Sequence, residues 1–364
     1  MTGGYGAVLS GVKGIGAKTL RALLVVFGSA EGIWQAGRER WKETGLLSPR
    51  LLSALSEAVM TKDPDREGRR MEEMGISCLS FREEGYPPLL KETHNPPAFL
   101  FVRGEKPVWE KTIAIVGARK GTAYGINSAS HLARGLSEKG VVIVSGGARG
   151  IDSAAHRGAM EGGAPTVAVM ACGLDIAYPP ENRNLFDRIA HGGGAVISEY
   201  PPGTPPLGRQ FPARNRIIAG MSRGVIVTEA AERSGSLITA DFALEEGRDV
   251  FAVPGSIWSP LSRGTHRLIR GGAICCTAPD DVLSEYRWNE CDTIEHTEKA
   301  PVELSLEEEL VYRFCSMGEA ASEEELLAQT ALSVPRLTVI LLGLQLKGMI
   351  TEGPKGHFTA ASGR

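Results

Sequence analysis

The sequence predicts an α/β protein: an extended Rossmann-like, doubly wound parallel sheet with a helical domain in front and a small helical module behind. Three observations carry this expectation. Between Thr112 and Ala278, short runs of β-branched residues alternate with stretches whose apolar residues recur at helical spacing. Several of those runs end in glycine-rich loops that open the next helix, the strand–loop–helix order in which helix N-terminal amides meet an anion. Outside this region the strand signals thin out and helical spacing dominates.

In order along the chain, residues 1–66 are expected to be helical. Gly14-Ile15-Gly16 allows a tight turn, and Ala17 to Phe27 then shows apolar residues at helical spacing, a helix–hairpin–helix (SAM-like) pattern. In such a module the hairpin amides of Gly14 and Gly16, with Lys13 or Lys18, either meet a DNA phosphate without reading sequence or form a turn that merely packs. Residues 67–285 form the central domain. Glu67 to Met74 predicts a charged helix and Ile76 to Phe81 a strand, and a second strand follows the prolines after Asn95, as additions to the sheet edge. Six central strands are expected at Ile113–Val116, Val141–Ser145, Thr166–Met170, Ala195–Ser198, Gly224–Thr228 and Asp249–Val253. Helices are expected near Ala123–Glu138, Ser153–Glu161, Asn182–His191, Asn215–Met221 and Ser236–Glu246. Residues 286–304 are polar and acidic, which suits a linker. Residues 305–360 then read as three helices and a β-hairpin, a winged-helix pattern.

Totals bound the function. A length of 364 residues suggests two or three domains, and the formal net charge of −3 argues against coating DNA indiscriminately. The distribution says more. Residues 1–70 carry 11 basic and 7 acidic side chains, residues 71–285 carry 22 and 23, and residues 305–364 carry 5 and 8. A nucleic-acid contact therefore belongs to local clusters in the front and middle, and the acidic tail favours protein contact or regulation over DNA reading. Six cysteines without C-x-x-C spacing suit a reduced, cytoplasmic protein with neither disulfides nor zinc. The start lacks the pattern of a signal peptide, and the apolar runs near Ile113 and Val141 are too short to span a bilayer.

The candidate site lies beyond the carboxyl ends of the central strands. The first loop offers Gly117, Arg119, Lys120, Tyr124 and Gly125; the second offers Ser145, Gly146, Gly147, Arg149 and Gly150. A stiff, proline-rich excursion from Tyr200 to Pro212 delivers Arg214, Asn215 and Arg216 to a helix start. Arg214 and Arg216 cannot share a helical face, so one is expected on the ligand and the other on a structural carboxylate. Ser234-Gly235-Ser236 and Thr239 supply a further capped seat for an anion, and Arg263 and His266 close the rim. A small diphosphate needs only glycine amides; loops that add this many arginines suit a longer polyanion, a nucleic-acid backbone. Tyr124 and Phe211 are candidate platforms for bases.

Catalysis is not expected. The seven histidines are scattered, and no nucleophile motif, metal-ligand spacing or P-loop lysine is present. Asp152 opens a helix and stabilises its N-terminus. Glu229 and Glu232 are expected to orient arginines. The first loop, Gly117-Ala-Arg-Lys-Gly121, does not fit a dinucleotide fingerprint, so no cofactor is expected.

Taken together, these motifs resemble the DNA processing protein A (DprA/Smf) family of bacterial single-stranded-DNA-binding proteins. The residues that carry the resemblance are Val116-Gly-Ala-Arg119 with Tyr124-Gly125, Ser145 to Asp152, Phe211-Pro-Ala-Arg-Asn-Arg-Ile-Ile-Ala-Gly220, Ser234 to Ala240 and Val253-Pro-Gly-Ser256. The sequence departs from the family at His266, where an asparagine is usual, and in its acidic tail. The resemblance implies a homodimer that binds single-stranded DNA in the Rossmann-like pocket, loads the RecA recombinase during natural transformation and relieves the block by single-strand-binding protein. The rival is a related enzyme that hydrolyses nucleoside monophosphates through a Pro-Gly-Gly-x-Gly-Thr-x-x-Glu motif, which Thr228 to Ser236 lacks.

Overall fold

The structure is a computed structural model that describes residues 3–289, 304–316, 321–330, 332–347, 349–353 and 357–360. The chain forms two compact units, residues 1–290 and 291–364. The expected linker lies outside the described residues from 290 to 303, as do Cys291 and the hairpin turn at 354–356.

One nine-stranded sheet organises the first unit: β1 (Ile76–Ser80), β2 (Phe99–Gly104), β3 (Thr112–Val116), β4 (Val142–Ser145), β5 (Thr166–Met170), β6 (Ala195–Ser198), β7 (Gly224–Val227), β8 (Asp249–Ala252) and β9 (Ile274–Cys275). The order is β1-β2-β6-β5-β4-β3-β7-β8-β9. Strands β3 to β9 run parallel, while β2 pairs antiparallel with β6 and β1 with β2. Strands β3, β4 and β5 are buried at every position, as a sheet covered on both faces requires. Alternation sends Ala114, Val116, Val144 and Val169 to one face and Ile113, Ile115 and Ile143 to the other.

Five helices precede the sheet: α1 (Gly3–Ser10), α2 (Ala17–Phe27), α3 (Ala30–Glu43), α4 (Pro49–Thr61) and α5 (Pro64–Glu73); the short α6 (Pro88–Lys91) separates β1 from β2. The later helices are α7 (Ala123–Ser137), α8 (Ile151–Gly162), α9 (Arg183–His191), α10 (Gln210–Gly220), α11 (Gly235–Glu245), α12 (Arg263–Arg270) and α13 (Pro279–Glu285). Helices α10 and α11 cover one sheet face through Ile217, Ile218, Leu237 and Ala240; α7, α8 and α13 cover the other through Leu132, Leu136, Ile151 and Val282. The front helices share a core with the sheet edge, because Leu9, Leu23, Leu24, Ile33 and Trp41 pack with Ala98 and Phe99.

The structure adds α6, α12, α13 and β9 to the expected elements, and two other helices need a physical explanation. Helix α10 starts at Gln210, five residues before its expected start, because Pro212 falls in the first turn, where a missing N–H breaks no helical bond. Helix α1 contains three glycines in eight residues, which propensity disfavours. Packing explains them: a Cβ on Gly4 would lie 1.8 Å from the Pro64 carbonyl oxygen, and one on Gly6 2.6 Å from Cys78 Sγ.

The second unit contains α14 (Leu306–Ser316), β10 (Ala321–Ser322), α15 (Glu323–Thr330), α16 (Val334–Leu346), β11 (Ile350–Gly353) and β12 (His357–Ala360). Its antiparallel sheet has the order β10-β12-β11, and Val311, Leu326, Leu337, Leu341, Leu344 and Ile350 form its core. Among the described residues, no single helix is long and apolar enough to cross a membrane.

Candidate nucleic-acid interface

From β3 the chain builds β4, β5 and β6 to one side of the sheet, then returns to build β7, β8 and β9 on the other. Connections leaving β3 and β7 therefore diverge, and the gap between them is where ligands of open α/β sheets sit. A cleft of about 580 Å³ fills this gap, lined by Gly117 and Arg119 after β3, Asp152 after β4, Phe211, Arg214 and Asn215 of α10, and Ser234, Gly235, Ser236 and Thr239 after β7. A small side recess reaches Gly146 and Arg149. Lys120, Tyr124, Gly125, Ser145, Gly147, Gly150, Arg216 and Arg263 do not line the cleft.

The first loop is fixed by Glu229, which is 2% exposed. Its carboxylate accepts from Thr122 N at 2.8 Å and Thr122 Oγ1 at 2.6 Å. Thr122 in turn caps α7 by accepting from Gly125 N. Glu229 was expected to orient an arginine; it orients the loop backbone instead. Gly125 is glycine because a Cβ there would lie 2.3 Å from the same carboxylate.

The second loop is built around buried polar groups. Gly150 has φ +72°, and a Cβ there would strike the Ala118 carbonyl oxygen at 2.5 Å, so the first two loops interlock. Asn182 holds the loop from outside its sequence, donating to Gly147 O and Ser153 Oγ. Arg214 is 5% exposed and donates to the carbonyls of Gly146 and Val169. A Cβ on Gly146 would come within 2.7 Å of both Arg214 Nη2 and Asp152 Oδ2, so this glycine makes room for the two charges. Burial pushes the Arg214 guanidinium down to about 10, opposed by Asp152, and raises the Asp152 carboxyl, opposed by Arg214. Arg214 thus serves first as a strut of the cleft wall, a correction to its reading as a freely presented phosphate ligand. Ser145 is corrected too: its hydroxyl is wholly buried and donates to Ile115 O across the sheet. Behind the loop, His156 is fully buried and pushed down to about 3 by desolvation. Thr166 Oγ1 donates to Ile143 O and so accepts from His156 Nδ1, which leaves Nε2 without a partner among the described residues.

The mouth of the cleft is cationic and aromatic. Arg119 is exposed, forms no salt bridge among the described residues although its charge acts on the buried Asp152, and lies 5.2 Å over the Phe211 ring. Phe211 packs against Tyr178, with centroids 5.4 Å apart. Lys120, the next residue in the chain, is exposed. Arg149 pairs with Glu181 and holds that carboxyl below the usual range. Arg216 faces Glu199 at 2.6 Å and also donates to Asn95 O. On the β7 side Ser234 caps α11, its Oγ lies 2.7 Å from Ser236 Oγ, and the α-carbon of Gly235 faces open space. Thr239 is buried, and Asn215 donates to Gly235 O. Farther out, the exposed Tyr124 donates to Pro254 O, Arg263 stands 4.0 Å from Glu232, and His266 Nε2 lies 3.0 Å from Gly255 O.

In the front helices Val12 and Ile15 are buried while Lys13, Gly14, Gly16 and Lys18 are exposed around the turn between α1 and α2. Sequence reasoning missed the parts of Thr122, Tyr178 and Asn182 in the site. Thr122 was legible as a threonine preceding a helix; Asn182 lies 35 residues from the carbonyl it holds, and no local pattern marks it. Among the described residues, no group of three or more histidine, cysteine or acidic side chains is placed to hold a metal ion.

The sequence profile of the DNA recombination-mediator protein A family matches residues 77–287, the strands and loops that form the cleft. The chain belongs to this family. Two relatives illustrate the match. DNA processing protein DprA of Streptococcus pneumoniae (strain ATCC BAA-255 / R6) is 49% identical over 211 residues, 58% of this chain and 74% of its own. Protein Smf of Escherichia coli K12 is 39% identical over 279 residues, 75% of each chain. The X-ray structure of the pneumococcal DprA covers 77% of this chain and 96% of its own, with a TM-score of 0.67 at 38% identity. DNA processing protein A from Helicobacter pylori, described for its single-stranded DNA binding mode, covers 59% and 96% with a TM-score of 0.53 at 30% identity. Membership of the recombination-mediator family bears out the resemblance read from the five motifs, and the pneumococcal structure bears out the parallel-dominated α/β fold.

Proposed function

We propose that the switch-point cleft binds single-stranded DNA without reacting with it, and that the chain acts as a homodimer that delivers the strand to the RecA recombinase in recombination and natural transformation. The observation that carries this reading is Arg119: an exposed cation that forms no salt bridge among the described residues, stacked on Phe211 at the mouth of the cleft. A guanidinium so placed offers a phosphate a fork of donors while the neighbouring rings offer a base a face. The exposed backbone around Gly235 and the capped start of α11 extend the same chemistry along the rim, and the exposed Lys120 follows Arg119 in the chain. Family membership supports the recombination role, and the H. pylori relative's single-stranded DNA binding supports the ligand. RecA delivery and relief of single-strand-binding protein follow from the resemblance. The exposed α1–α2 turn, with Lys13 and Lys18, is a secondary contact for the same backbone.

A gel shift on single-stranded oligonucleotides, run beside an assay for base release from nucleoside monophosphates, tests the reading. Retarded oligonucleotide with no released base supports it. Base release, or no retardation at physiological salt, overturns it.

A further inference from the structure

Helix α16 has two unlike faces. Leu337, Ile340, Leu341 and Leu344 are buried in the core of the tail unit. On the opposite side Pro335, Val339 and Leu342 form an exposed ridge at i, i+4 and i+7, with Val339 64% and Leu342 58% exposed. Carboxylates border the ridge on both flanks. Arg336 is bound to Glu307 at 2.8 Å and Lys347 to Glu308 at 2.6 Å, while Thr338 Oγ1 on the other flank lies 3.5 Å from Glu323 Oε1. The two cations of the helix are therefore both neutralised within the unit.

We propose that this ridge docks a basic, amphipathic helix of a partner protein. An apolar i, i+4, i+7 ridge fits the groove of a second helix, and lysines or arginines beside that groove would meet Glu323 and the net acidic charge of the unit, since Glu307 and Glu308 are already paired with Arg336 and Lys347. Nucleic acid is disfavoured here, since α16 offers it no uncompensated cation and residues 305–364 carry 8 acidic against 5 basic side chains. A helix face that met only water would not place valine and leucine at the centre of its exposed side.

The test uses the full-length protein and two fluorescein-labelled peptides of identical leucine and lysine content. One carries its leucines on a single helical face; the other has the same residues shuffled. Fluorescence anisotropy is expected to show the patterned peptide binding at least ~10-fold more tightly than the shuffled one. The double variant Val339→Glu, Leu342→Glu is expected to lose that preference although it adds two negative charges, with an unchanged circular dichroism spectrum. Equal affinity for both peptides, or a preference retained by the variant, overturns the proposal. A changed affinity of the variant for a single-stranded oligonucleotide would assign the ridge to DNA and overturn it as well.

Discussion

Replacing Arg214 with leucine tests the buried frame of the cleft apart from its ligand contacts. The guanidinium donates to the carbonyls of Gly146 and Val169, both deep in the sheet edge, and opposes the charge of Asp152. Each buried acceptor left without a donor costs about 1–3 kcal/mol. Removing the desolvated cation, which burial has already pushed down to about 10, offsets part of this. A net loss of about 2–4 kcal/mol follows. Its pH dependence has a definite sign. Burial holds the Asp152 carboxyl above its usual range, and losing Arg214 raises it further. A raised folded-state value favours the protonated acid, so the deficit of the variant is largest above that value and shrinks as the pH falls. Urea unfolding followed by tryptophan fluorescence reads the relevant unit, because Trp34, Trp41, Trp109, Trp258 and Trp288 all lie within residues 1–290. An unchanged midpoint at pH 7, or a deficit that does not vary with pH, would refute the strut role.

Other substitutions probe neighbouring parts. Gly125→Ala drives a Cβ into the Glu229 carboxylate and should cost about 1–3 kcal/mol in thermal unfolding, whereas a neutral result would mean that the first loop is not packed on Glu229. His156, pushed down to about 3, stays neutral in the fold while the unfolded chain protonates near pH 6.5. It therefore contributes stability above about pH 6.5 that is lost as the pH falls, at up to about 1.4 kcal/mol per pH unit, and His156→Asn should flatten the acid limb of the unfolding midpoint. Lys13→Glu with Lys18→Glu should weaken oligonucleotide binding without moving the melting temperature; unchanged affinity would leave the α1–α2 turn a packing element.

The sheet was legible because its central strands are buried on both faces and appear as short apolar runs rich in β-branched residues; each of the six expected central strands falls within one residue of its place. Helix α1 lies in the front segment expected to be helical, but its glycines have a tertiary cause without a local signature, contact with Pro64 and Cys78. The start of α10 was hidden by reading Pro212 as the end of a loop. In the site, the loops and their arginines stood out in the sequence, but not which arginine faces the cleft. Residue spacing separates Arg214 from Arg216, yet only packing shows that Arg216 meets Glu199 while Arg214 is buried against carbonyls. Arg119 is the cleft-lining cation that the fold leaves exposed over an aromatic ring, a placement its own segment does not reveal.

Arg119 is therefore where the account is tested most directly. Affinity for a labelled single-stranded oligonucleotide is measured across a salt series for the wild-type protein and for Arg119→Ala. The logarithm of the association constant should fall linearly with the logarithm of salt concentration, and Arg119→Ala should bind more weakly with a slope shallower by about 0.7, one phosphate contact fewer. A flat salt dependence, or a variant indistinguishable from wild type in both affinity and slope, would contradict phosphate recognition at this cleft.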